Sequence, residues 1–214
     1  MPTERFLARP RRTLLLACVA LVLVVVWAFV VPDGTRTVDR HWWAWMEDTW
    51  SFGAGHAARF LAWVGNGYGR GLVLALLALP LLARRRWVGL AAFGVVEVLT
   101  PLTTALLKDL SDQSRPPERL VSTRGSSFPS GHTSYAAATL VALVLLYTAL
   151  GPRRRLWWVL AVLGTAAMGW SRTYLHAHWL SDVVAGGAWG WSVALAVFAA
   201  AQLAIRPGRA RGVG

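Results

Sequence analysis

KDLSDQSRP (residues 108–116), PSGH (129–132) and SRTYLHAHWLSD (171–182) are three polar islands in a stretch that otherwise reads as apolar helix. They gather Lys108, Arg115, Ser130, Gly131, His132, Arg172, His178 and Asp182 in a chain built mainly of Ala, Leu, Val and Trp. Ionisable groups are costly near lipid and tend to mark function there. Each island also ends one apolar segment or begins the next, so placing the islands places the helices.

Working outward, the 214 residues are 56% hydrophobic and 15% charged, with a mean hydropathy of +0.46. That is too apolar for an ordinary soluble domain of this length and points to a membrane protein. The net charge of +12 does not indicate nucleic acid, because the arginines sit in short clusters beside apolar runs. The clusters are Arg5, Arg9, Arg11 and Arg12; Arg84 to Arg86; Arg153 to Arg155; and Arg206, Arg209 and Arg211. This is the positive-inside pattern, whereas a nucleic-acid footprint would form one continuous face. The single cysteine, Cys18, allows neither a disulfide framework nor a cysteine metal site within one chain.

Residues 13–31 are an uninterrupted apolar run, long enough at about 1.5 Å per residue to cross a hydrocarbon core of about 30 Å. The run exceeds a signal-peptide core and no small-x-small site follows, so a retained anchor is expected. A Pro-Asp-Gly turn at 32–34 leads to Trp42, Trp43, Trp45 and Trp50 among Asp39, Arg40, Glu47 and Asp48. Rings mixed with charges suit a helix lying in the headgroup layer, within a less regular segment over 32–70. Five further apolar runs are read at about 71–83, 87–107, 132–150, 156–174 and 179–204. The expected architecture is all-α: six transmembrane helices, an interfacial helix after the first, and a core bundle around the site. No repeat and no second domain is visible. Six crossings put the basic clusters and both termini on the cytoplasmic side and all three islands on the opposite side. In the third run Pro101 is expected to kink the helix, and Glu97, Thr104 and Lys108 share a face. Glu97 reads either as a functional carboxyl or as a paired structural one.

Phosphoryl transfer needs cations around three equatorial oxygens, an in-line nucleophile and an acid for the leaving oxygen. Arg115 and Arg172 offer planar forks that match phosphate oxygens, and Lys108 adds a point charge. Asp182 is the only acid in the third island, whereas a hard cation would want several oxygen ligands, so no metal is expected. Ser130 and Gly131 open a helix whose N-terminal N–H groups can approach an anion, with His132 at its entrance. His178 and Asp182 are four residues apart, placing both on one face if the sixth helix begins near Ala177. A carboxylate on one ring nitrogen fixes the tautomer and leaves the other free to attack. The bland alternative is an aspartate that only satisfies a buried N–H. His176 lacks a carboxylate four residues on and is set aside.

Lys108-x6-Arg115-Pro116, then Pro129-Ser130-Gly131-His132, then Ser171-Arg172-x5-His178-x3-Asp182 resembles the three-part signature of the type 2 phosphatidic acid phosphatase superfamily, which also includes vanadium haloperoxidases. The resemblance covers about residues 87–204. It implies a helical bundle and a metal-independent phosphatase without cofactor, acting through a phosphohistidine. It also implies that Lys108, Arg115, Ser130, Gly131 and Arg172 bind phosphate, that His178 attacks with Asp182 orienting it, and that His132 serves the leaving group and then water. Membrane members act on phosphatidic acid, phosphatidylglycerol phosphate and polyprenyl diphosphates such as undecaprenyl diphosphate, so a lipid phosphate in a bacterial-type plasma membrane is the expected partner. A phosphotransferase shares the first half-reaction. A haloperoxidase is disfavoured by the apolar spans, and a binding protein without catalysis would be expected to lack His178, His132 or Asp182. The oligomeric state is not written in the sequence.

Overall fold

The computed structural model describes residues 5–30, 37–148 and 150–205. The expected turn at 32–34 and the basic cluster at 206–211 lie outside them. The described residues form eight helices and no strand: α1 (Pro10–Val30), α2 (Thr37–Asp48), α3 (Phe52–Val64), α4 (Gly67–Ala83), α5 (Trp87–Ser111), α6 (Gly131–Tyr147), α7 (Arg154–Tyr174) and α8 (Leu180–Ala204).

Every expected apolar run falls on a helix, but the six-span count is not reached on length and composition. Among the described residues, only α1, α5 and α8 are each long and apolar enough to cross a membrane. Helices α3 and α4 pass as a fourth span if taken together, bent by 60°. Helix α6 has 17 residues, and α7 carries arginines at both ends, Arg154 and Arg155 against Arg172. The second span therefore does not start at residue 71: it begins at Gly67 and continues, through a bend, a helix the sequence left within an irregular segment. The bend has a local cause. Gly65 caps α3, and Asn66 starts α4 by accepting the Gly67 N–H on its own side chain. Pro101 does not divide α5, which stays one helix from Trp87 to Ser111.

Large apolar side chains stay exposed along the helices, including Leu15, Val22 and Phe29 on α1, Leu72 and Leu79 on α4, Val98 and Leu102 on α5, and Leu160 and Leu163 on α7. So broad an apolar surface fits lipid as the surrounding medium. Inside, α6 and α8 form the central pair, with α1, α5 and α7 packed around them. Small residues permit this. A Cβ added at Gly190 would overlap the Ser134 carbonyl, and one at Gly186 would lie 2.6 Å from the Ser130 carbonyl, so the α8 backbone runs directly against α6.

The antiparallel succession sorts the two ends of the bundle. At one end Arg154 donates to the carbonyls of Phe6 (2.8 Å) and Val144 (3.3 Å). There too, Gln202 accepts the N–H groups of Phe6 and Leu7, and Arg86 donates to the Leu146 carbonyl. At the other end lie the C-termini of α5 and α7 and the N-termini of α6 and α8, which bear the polar islands. Midway, Glu97 on α5 pairs with Arg70 on α4 at 2.9 Å and accepts the Thr139 hydroxyl of α6 at 2.8 Å. Arg70 also stacks 4.4 Å over the Tyr135 ring. Glu97 is thus a paired carboxyl joining three helices.

Candidate active site

The three islands meet at the polar end of the bundle, around the loop of residues 112–130. Lys108, in the last turn of α5, donates to the carbonyls of Ser126 (2.6 Å) and Ser127 (3.2 Å). Arg115 spreads its fork against the same loop: Nε donates to Gly125 (3.1 Å), and Nη2 to Arg124 (3.0 Å) and Ser126 (2.9 Å). Its Nη1 donates to the Ala177 carbonyl at 2.7 Å and lies 3.2 Å from Nε2 of His178. A guanidinium can only donate, so Nε2 of His178 carries the lone pair and Nδ1 the proton. All five Arg115 N–H groups are engaged by protein acceptors.

His178 does not sit on the sixth apolar helix. It precedes α8, in the turn after α7, and its pairing with Asp182 crosses the helix N-cap. Nδ1 is 3.5 Å from Asp182 Oδ2, and the Ser127 carbonyl also faces the ring. The same carboxylate oxygen accepts the Trp179 N–H (2.8 Å) and the Ser127 hydroxyl, so Asp182 caps α8 and stands beside the imidazole, whose Nδ1 makes no hydrogen bond among the described residues. Burial, and then the nearby Lys108, Arg115 and Arg172 charges, keep the His178 pKa well below 6.5. Burial likewise lowers Arg115, with Asp182 opposing it.

Ser130 is the N-cap of α6 and fully buried. Its N–H donates to the Asp182 carbonyl at 3.0 Å and its Oγ accepts from the Thr133 hydroxyl at 3.0 Å, which locks the start of α6 to the start of α8. Gly131 and His132 follow in the first turn. Arg172, in the last turn of α7, is only 3% exposed, and its Nε has no partner among the described residues. A buried guanidinium N–H left open is unusual unless an acceptor arrives from outside. His132 and His178 are close enough to feel one another and the Lys108 and Arg172 charges. His176 turns away: its ring packs 5.3 Å from that of Trp43, and Nδ1 faces the Glu118 carbonyl at 3.3 Å.

Sequence reasoning missed the supporting residues. Ser126 and Ser127 hold Lys108, Arg115 and Asp182, and their only signal was adjacency to the Pro-Ser-Gly-His turn. Asp39, in the tryptophan-rich α2, accepts both the N–H and the hydroxyl of Ser181 at 2.8 Å and so fixes the first turn of α8. An acid among aromatics gave no hint of that.

Four helix ends bring these cations and imidazoles together at one end of a bundle with an apolar exterior, the architecture of a membrane protein. The family model of the PAP2 superfamily matches residues 89–206, and the chain belongs to that superfamily. Among solved structures, the chain is similar to the crystal structure of the first transmembrane PAP2 type phosphatidylglycerolphosphate phosphatase from Bacillus subtilis, with a TM-score of 0.73 and 19% identity over 95% of this chain and 100% of that one. At that identity the likeness concerns the fold. No curated protein matches the chain.

Proposed function

We propose that this phosphoric monoester hydrolase, acting as one unit, removes phosphate from a membrane lipid phosphate or diphosphate through a phosphohistidine at His178. The phosphate oxygens lie against Lys108, Arg115, Arg172 and the N–H groups at the start of α6, beside Ser130 and Gly131. The lone pair on Nε2 of His178 attacks phosphorus while the bond to the lipid oxygen breaks, and the departing oxygen takes a proton from His132. Asp182 steadies the imidazolium that forms at His178. Water then attacks phosphorus, His132 accepts its proton, and the P–N bond breaks to release inorganic phosphate. The carrying observation is the 3.2 Å contact between Arg115 Nη1 and His178 Nε2, which puts a phosphate anchor and a nucleophile side by side.

The basic ends of the bundle, including Arg84 to Arg86 and Arg153 to Arg155, lie opposite the site, which supports an extracytoplasmic site with cytoplasmic termini. The B. subtilis neighbour is described as a phosphatidylglycerolphosphate phosphatase. That description supports phosphatidylglycerol phosphate among the three expected substrates, beside phosphatidic acid and polyprenyl diphosphate. The test is phosphate release from these three lipids in chelator, by wild type and His178→Ala. Release by wild type alone supports the reading; dependence on added magnesium, or full activity in the folded variant, overturns it.

A further inference from the structure

Outside the residues that carry the family signature, the end of α3 reaches the site. The Ala62 carbonyl, in the last turn of that helix, faces the His132 ring. Three residues on, a Cβ added at Gly65 would lie 3.1 Å from His132 Cδ2 and 2.9 Å from Met168 Cε. Gly65 has a φ of −83°, which any L residue adopts, so the glycine is there for space and not for conformation. Helix α3 is tied to α7 at its middle and at its start. The Ser171 hydroxyl, next to Arg172, donates to the Ala58 carbonyl at 2.7 Å. Tyr174 donates to the Thr49 carbonyl at 2.9 Å and accepts the Ser51 N–H at 2.7 Å.

We infer that the α3–α4 break is a positioning device for His132: the bare Gly65 backbone sets the ring plane and the Ala62 carbonyl faces the ring beside it, leaving a ring nitrogen to shuttle the proton. Ala62 does for His132 what Asp182 does for His178, through a neutral acceptor. Ser171 is the strut that ties this device to the helix bearing Arg172.

The inference rests on His132 being the proton donor, and the test separates the two. Protonation matters for an alkoxide leaving group and little for 4-nitrophenolate, which departs unaided. The quantity to measure is kcat/KM, which reports formation of the phosphoenzyme. In Gly65→Ala it falls roughly 10- to 100-fold for phosphatidic acid and less than about 3-fold for 4-nitrophenyl phosphate. His132→Ala shows the same selectivity more strongly. Gly53→Ala, in the same helix with open space around its Cβ, changes neither substrate. If Gly65→Ala does not accumulate, the Gly65→Ala/Met168→Ala double variant removes the methionine contact and leaves only the imidazole in the way. Equal losses on both substrates, or none, in the Gly65 variants while His132→Ala stays selective overturn the positioning role alone. Equal losses in His132→Ala overturn the proton-donor role and the inference with it.

Discussion

Replacing Gly186 with alanine probes how closely helix packing controls the site. Ser130 lies in a saddle on α8, its N–H bonded to the Asp182 carbonyl at 3.0 Å and its own carbonyl facing Gly186 one turn later. An alanine Cβ there would be 2.6 Å from that carbonyl, about 0.8 Å short of the 3.4 Å at which ordinary contact begins. The neighbour is backbone at a helix start, held by the Ser134 N–H (3.0 Å) and hydroxyl (2.9 Å), so it cannot swing aside as a flexible side chain would. Moving Ser130 out by that amount stretches its bond to Asp182 beyond hydrogen-bond range and shifts Gly131 and His132 with it. Overpacking of this kind costs about 1–3 kcal/mol, offset by about 0.5–1 kcal/mol from alanine's better helix propensity. The shift at the phosphate end should lower kcat roughly 10- to 100-fold. Phosphate release and thermal unfolding in detergent give the two readouts, with Gly94→Ala, whose Cβ meets nothing within 4 Å, as control. If Gly186→Ala keeps activity within about twofold of wild type, Ser130 is not held by this contact and the packing account fails.

Three more outcomes follow from particular contacts. His178 titrates well below 6.5 in the folded chain, so as pH falls through about 6.5 the unfolded ring gains a proton that the native ring does not. Stability then declines on acidification by up to about 1.4 kcal/mol per pH unit, and this component is absent at higher pH. His178→Asn should flatten the profile, and parallel unfolding curves from pH 5 to 8 for both proteins would refute the assignment. Glu97→Ala strands Arg70 between helices and should cost about 3 kcal/mol, with much of it regained in Arg70→Met/Glu97→Leu; equal stability of the single and double variants would contradict the pairing. Asp39→Ala removes two charge-assisted bonds from the first turn of α8 and should cost about 3 kcal/mol, with Asp39→Asn losing roughly half. Unchanged unfolding of both variants would show that α2 does not brace that turn.

What the sequence carried and what it did not have separate physical reasons. Helices α1, α5 and α8 were legible because long apolar runs between charged ends admit one reading in lipid. The signature residues were legible because cations and imidazoles are too costly there to be incidental. Helix α3 was not, because FGAGHAARFLAWV mixes small, basic and aromatic residues without a clean apolar stripe, and it holds its place through backbone carbonyls. Carbonyls leave no trace in sequence: Ala58 and Ala62 act through atoms every residue has. The same holds for Arg115, whose type announced an anion site but whose five engaged donors depend on where Arg124, Gly125, Ser126 and Ala177 point their oxygens.

That contrast bears on how the site is divided. Arg115 is satisfied by protein, while the buried Arg172 Nε has no partner among the described residues, so in the proposed mechanism an arriving phosphate gains most from Arg172 first. It then competes with a single nitrogen, Nε2 of His178, for one Arg115 donor. In the proposed mechanism, freeing that nitrogen is also what frees the nucleophile, so phosphate capture and activation of His178 become the same event. An Arg115→Lys substitution separates them. With one ammonium in place of a five-donor fork, the variant should bind phosphate with only a modest rise in KM yet lose kcat more than tenfold, because the imidazole is no longer oriented by the group that yields to substrate. A loss confined to KM would mean that Arg115 is only an anchor.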